Sequence, residues 1–155
     1  MSMEKEEIDF LREKETLYGG KITFRSFSAW FCSSDGILRE HGVILYMINN
    51  IVHFEDFEHV NTILGYPLPK TRYEKEHPYE KWESEFKCED VVDCYKVRHS
   101  SAKEVMEGKK KAPLKTVSSF SGFFQKTVLQ VLLKDGKAYY FELINTKEFI
   151  DALKR

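Results

Sequence analysis

The sequence predicts a mainly β protein: an antiparallel barrel of about seven strands, preceded by one helix and closed by another. Three observations carry this. From Lys21 onward the apolar residues alternate with a period of two rather than 3.6. Two hairpin turns stand out, Asn49-Asn50 inside "GVILYMINNIVHFEDF" and Asp135-Gly136 inside "QVLLKDGKAYYF". Both hairpins are apolar on more than one face, which suits a closed or nearly closed barrel with flanking helices.

The elements follow in chain order. Residues 3–18 read as a helix, with Ile8, Leu11, Leu17 and Tyr18 as one apolar stripe and Gly19-Gly20 as its stop. Lys21–Phe31 is rich in aromatic and β-branched residues and suits a strand, kinked near Ser26 to Ser28. Cys32–Glu40, "CSSDGILRE", reads as a turn-rich connection.

The first hairpin follows. A two-residue Asn-Asn loop needs positive φ at both positions, which Asn tolerates better than any other non-glycine residue. The register then pairs Ile48 with Ile51, Met47 with Val52 and Leu45 with Phe54. One face, Val43, Leu45, Met47, Val52 and Phe54, is wholly apolar and belongs to the core. The other, Ile44, Tyr46, Ile48, Ile51, His53 and Glu55, is too apolar to be simply wet, and the N-terminal helix is expected to cover it.

Residues 58–83 form a long charged connection with Pro67, Pro69 and Pro78. Strand character returns at Ser84–Cys88 and Val91–Arg98. Residues 99–126 form a second insertion containing "EGKKKAPLK". Thr127–Lys134 and Lys137–Ile144 make the last hairpin. A final helix carries Phe149, Ile150 and Leu153 as its stripe, with Asn145 and Glu148 placed for a capping box. So short a helix is unstable alone in water, so it must dock. Residues 1–20 therefore join residues 21–155 as one unit, a barrel domain with insertions at 58–83 and 99–126.

Composition narrows the functional classes. At 155 residues, 42% apolar and 14% aromatic, the chain has the size and content of one globular domain. Its longest apolar stretch, Gly42–Ile48, is far below the roughly 20 residues a spanning helix needs. The first 20 residues lack a signal-peptide core, and three cysteines are no export framework. The expected location is the cytoplasm, with peripheral attachment at the inner membrane face as the alternative. The net charge of −1 hides blocks. Residues 73–93 carry eight acids against three lysines, net −5, and residues 96–126 carry eight bases against two acids, net +6.

Several chemistries are opposed. No C-x2–4-C pair occurs, and Cys88 and Cys94 would stand about 20 Å apart along an extended strand, so no metal and no cofactor is expected. Carboxylates at Glu89, Asp90 and Asp93 oppose thiolate formation. His53 and Glu55 share a strand face, but as part of a barrel wall rather than a catalytic pair. No catalytic residue is assigned, and the chain is not expected to be an enzyme. The absence of a Gly-rich phosphate loop and a pI near 6.5 oppose nucleotide and nucleic acid binding.

The pattern Gly42-x-x-Leu45-Tyr46-x-x-Asn49-x-x-Val52-x-Phe54-Glu55 resembles the strand–turn–strand signature of bacterial pleckstrin-homology-like (PH-like) and GRAM-type domains. There a "G-x-L-Y-x-T-x-x-R-x-x-F" run forms early barrel strands. The end of the chain, "QVLLKDGKAYYFELINTKEFIDALKR", is similar too, with a last hairpin and a C-terminal helix that plugs one barrel mouth. The resemblance covers about residues 21–57 and 84–155. It implies a PH-like barrel. Departures are Ile48 where the family usually has Thr, Val52 or His53 where it often has a base, and longer insertions. Lipid-binding members carry a basic cluster around the first strand and its loop. Lys21, Arg25 and Arg39 do not match its spacing, so the resemblance carries the fold and not the lipid site.

The candidate anion- or partner-binding residues are Lys109, Lys110, Lys111 and Lys115. Gly108 and Pro113 flank a run without apolar period, which predicts an exposed, mobile loop. The expected function is a non-enzymatic interaction module that binds a protein or peptide. One alternative is peripheral binding to an anionic membrane through residues 109–126, with Phe120, Phe123 and Phe124 beside the lysines. A second is a small-ligand-binding barrel, which the plugging helix opposes. In an up-and-down meander the connections 32–41, 58–83 and 99–126 share one rim, so the acidic block and the basic insertion would be neighbours. That favours a protein-binding or self-associating rim.

Overall fold

Asn49 and Asn50 adopt φ of 53° and 63°, the left-handed turn that their side chains tolerate. Around them the ladder pairs Ile48 with Ile51, Met47 with Val52 and Leu45 with Phe54, the register expected from the turn. The computed structural model describes residues 3–40, 42–56, 62–63, 66–67, 72, 82–117 and 126–154.

In chain order these form α1 (Met3–Tyr18), β1 (Ile22–Ser33), β2 (Leu38–Arg39), β3 (Val43–Ile48), β4 (Ile51–Asp56), β5 (Thr62–Ile63), β6 (Tyr66–Pro67), β7 (Glu83–Lys87), β8 (Val91–Arg98), α2 (His99–Met106), β9 (Thr127–Leu133), β10 (Ala138–Leu143) and α3 (Thr146–Leu153). One antiparallel sheet of eight strands runs in the order β7-β4-β3-β1-β10-β9-β8, with β2 paired to β1. Strands β5 and β6 pair separately. Most of the expected connection 58–83 lies outside the described residues.

The two edge strands, β7 and β8, are consecutive in sequence and joined by one 3-10 turn, Cys88–Asp90. The sheet must therefore curl until its edges meet at a corner. Among the described residues no ladder joins them, so the sheet is not closed, where a closed or nearly closed barrel was expected. The corner's backbone groups are engaged elsewhere. Cys88 N–H donates to Asn50 C=O at 2.9 Å, and Lys134 N–H donates to Asp90 C=O at 2.9 Å. The corner thus bonds to the turns of the flanking hairpins.

Curling brings alternate residues of distant strands onto one inner core. Phe31, Phe54, Phe86, Tyr139 and Phe141 meet there from β1, β4, β7 and β10. The rings of Phe86 and Tyr139 stack 5.6 Å apart across the core, from strands four places apart in the sheet. Helix α3 closes this core with Phe149, fully buried against Phe24 and Phe141. Burying one such ring contributes roughly 1.5–3 kcal/mol. The capping box expected for α3 does not form. Asn145 occupies the N-cap position, but its side-chain oxygen accepts the Ser26 hydroxyl and makes no cap bond. A tether to β1 replaces the local cap.

The outer faces are covered by two helices. Leu11, Phe10 and Tyr18 of α1 pack on Ile44, Tyr46 and Ile48, as expected of that hairpin's second face. Helix α2 was not expected, since residues 99–126 read as irregular. Its Ala102, Val105 and Met106 pack on Trp30, Cys32, Val97, Val128 and Tyr140.

Two local devices shape β1. The expected kink is a register shift between Ser28 and Phe31 against β10, where the Ser28 hydroxyl accepts Glu142 N–H at 3.0 Å and donates to Trp30 C=O at 2.6 Å. At Gly42, φ is +88°, and a Cβ would lie 2.1 Å from the Ser28 carbonyl oxygen. Only glycine lets β1 and β3 approach this closely. The segment Cys32–Glu40, expected as a turn-rich connection, turns back as a hairpin in which β2 pairs with β1. Gly36 takes φ +92° after Asp35, as Gly136 takes +88° after Asp135.

Candidate functional site

The basic insertion leaves the sheet at Arg98 and is built on three supports. The first is α2, which begins directly after the extended Arg98 and carries no side-chain cap and no acid in its first turn. The second is Gly108, whose φ of +82° ends the helix and turns the chain back.

The third support is Gln130, buried in the middle of β9. Its Oε1 accepts the Leu114 N–H at 2.8 Å and the Tyr140 hydroxyl at 2.9 Å, and its Nε2 donates to the Leu114 C=O at 3.3 Å. One side-chain amide thus pairs with one backbone unit as a neighbouring strand would. Tyr95 Oη also donates to Leu114 C=O at 2.6 Å, and Val117 N–H donates to Lys96 C=O at 3.1 Å. Residues 114–117 are therefore tied to the sheet, where the sequence suggested a free loop. The reason is a polar side chain sixteen positions away, with no local signature beyond a lone Gln in the apolar run "TVLQVLL".

Between α2 and this tied segment lies a cleft of about 400 Å³, lined by Arg98, Ser101, Lys110, Leu114, Lys115, Thr116 and Val117. Of the four candidate lysines, Lys110 and Lys115 come together here. Lys109 and Lys111 are exposed but stand outside the lining. Lys109 pairs with Glu107 at 2.8 Å. Arg98 was missed from the sequence, although its position at the junction of strand and basic insertion was a signal that could have found it. Lys110 Nζ lies 3.4 Å from Glu104 Oε1 and 3.4 Å from Ser101 Oγ. Among the described residues, Arg98 and Lys115 have no carboxylate partner. Phe120, Phe123 and Phe124 lie outside the described residues, as do residues 73–81 of the acidic block. The shared rim is seen in part: Cys32 Sγ lies 3.6 Å from Ala102 C=O, and Gly36 lies beside Met106.

A second polar cluster sits beneath α1. Tyr46 Oη donates to Glu55 Oε2 at 2.9 Å, and Lys14 Nζ lies 3.3 Å from the same oxygen. His53 is stacked between Tyr18 at 4.2 Å and Tyr46 at 5.2 Å. His53 is 4% exposed and Glu55 1%, so the pair is enclosed by helix and sheet. Burial holds the His53 imidazole below its ordinary pKa, and burial plus the Glu55 carboxylate push the Tyr46 phenol up. The cluster ties α1 to the sheet.

Burial pushes the thiols of Cys32 and Cys94 up to about 12 and raises Cys88, so none is a thiolate at neutral pH. Among the described residues, no three His, Cys, Asp or Glu side chains are grouped to hold a metal ion. No helix among the described residues is long and apolar enough to cross a membrane. Comparison with known proteins finds no matching family model, no matching curated protein and no matching solved structure.

Proposed function

We infer that the chain is a non-enzymatic, PH-like interaction module whose basic cleft engages an acidic segment of a protein or peptide partner. The strand order supports the PH-like part. From β1 the chain runs outward through β3, β4 and β7, rounds the corner to β8, and returns through β9 and β10 to pair with β1. The C-terminal helix lies against the inner core, as the resemblance implies.

One observation carries the functional part. The cleft gathers three cations on a hydrogen-bonded support, and two of them have no carboxylate partner among the described residues. Such a site attracts anions over about a Debye length. The small-ligand alternative is disfavoured by an inner core filled with aromatic rings. Attachment to an anionic membrane through residues 109–126 is the competing reading.

The test is fluorescence anisotropy with a labelled oligoglutamate peptide, alongside co-sedimentation with anionic vesicles. Binding is expected to the peptide, weakening as salt rises. Arg98→Gln and Lys115→Gln should reduce it while leaving the melting temperature unchanged. Peptide binding that ignores both substitutions would refute the assignment of the cleft, and binding to vesicles alone would favour the membrane reading.

A further inference from the structure

We propose that the group the cleft recognises is a phosphomonoester carried on a side chain of a protein or peptide partner. This rests on the acidic-partner reading and goes further, because it distinguishes between anions.

The charge balance is the first argument. Arg98, Lys110 and Lys115 bring three positive charges to the cleft, and Glu104 beside Lys110 returns one negative charge, leaving a local excess of two. A phosphomonoester carries about −1.5 to −2 at neutral pH. A carboxylate carries a single charge and would leave one cation uncompensated in the cleft.

The donors are the second. A phosphoryl group offers three strong acceptor oxygens, against two for a carboxylate. The planar Arg98 fork donates two parallel hydrogen bonds to such oxygens, and each lysine supplies a point charge. The Ser101 hydroxyl accepts from Lys110 Nζ and keeps its own proton to donate. Among the described residues, no carboxylate lines the cleft.

Size and shape are the third. About 400 Å³ is more than a bare phosphate fills, and it leaves room for the side chain that bears it. The cations sit in a recess between α2 and residues 114–117. Beside it Glu104 and Glu107 pair with Lys110 and Lys109. A recess with acids at its margin suits one protruding group. The site also lies on the insertion between β8 and β9, away from β1 and the turn that follows it.

The experiment uses the full chain and three labelled peptides of one sequence, carrying phosphoserine, Glu or Ser at the central position, with inorganic phosphate and acetate as competitors at matched ionic strength. The phosphoserine peptide should bind at least about tenfold more tightly than the Glu peptide, and phosphate but not acetate should displace it. Arg98→Lys keeps the charge and removes the fork. It should abolish the preference for phosphoserine over Glu, with unchanged melting. Equal affinity for the phosphoserine and Glu peptides would overturn the phosphate inference and leave the acidic-partner reading standing. Binding of neither peptide at low ionic strength would overturn both. Capture by phosphoinositide-containing vesicles, with no phosphopeptide binding, would overturn both in favour of a membrane.

Discussion

Replacing Gln130 by Leu tests whether the cleft is held from beneath. Leu has a similar volume, so the change removes hydrogen bonds more than packing. Leu114 N–H loses its acceptor at 2.8 Å, and the Tyr140 hydroxyl loses its acceptor at 2.9 Å. Leu114 C=O keeps the Tyr95 hydroxyl at 2.6 Å. A buried donor left unsatisfied costs about 1–3 kcal/mol. Leu114 is half-buried, so its N–H reaches water once the segment lifts and falls at the low end. Tyr140 is fully buried and has no such escape. Burying Leu in place of an amide returns part of the loss. The net is a destabilisation of about 2 kcal/mol, or a fall in melting temperature of about 4–8 °C for a domain of this size. Urea denaturation reads the first quantity. Hydrogen exchange reads the mechanism, since the Leu114 amide should pass from protected to fast-exchanging. Tyr95→Phe, which removes one of the two donors on Leu114 C=O, should cost less, about 1 kcal/mol. An unchanged urea midpoint with Leu114 still protected would refute the reasoning and place the support of residues 114–117 elsewhere.

Other outcomes follow from the same structure. Leu45→Ala should cost about 2–5 kcal/mol by urea denaturation, as a large-to-small change in the inner core does; a loss below about 0.5 kcal/mol would mean that its face is not core. Lys14→Met removes the cation beside the buried Glu55 and should cost about 3 kcal/mol, with unchanged stability counting against a structural role for α1. Gly42→Ala forces a Cβ against the Ser28 carbonyl at a positive φ, and the soluble folded yield should drop sharply. His53 and His99 are both held below their ordinary pKa, chiefly by burial, so the unfolded chain takes up protons before the folded one does. Their contribution is therefore complete above about pH 6.5 and is lost as pH falls through that value, levelling off below the folded-state pKa. The double variant His53→Gln, His99→Gln should lose less stability than wild type between about pH 7.5 and pH 5.5, and parallel losses in the two proteins would contradict this.

The sequence by itself determined whatever depends on near neighbours. Alternation with period two and an Asn-Asn turn specify the hairpin of β3 and β4, its register and its inner face, because a one-residue slip would turn Leu45 and Phe54 out of the core. The mixed composition of the second face required a cover, and α1 provides it. Tertiary structure decided the rest, through contacts between residues far apart in the chain. Helix α2 is short and has no side-chain cap, and it forms because the sheet offers Trp30, Cys32 and Tyr140 to its Ala102 and Val105. Asn145 gives up a local cap for a hydroxyl 119 positions away. Among the described residues β7 and β8, though joined by one 3-10 turn, form no ladder with each other, and no local pattern in the sequence records that. The cleft exists because Gln130 pairs with the backbone of Leu114 and draws Lys115 to the same place as Arg98 and Lys110. A hydrogen bond of this kind is indifferent to sequence spacing, and no periodicity records it.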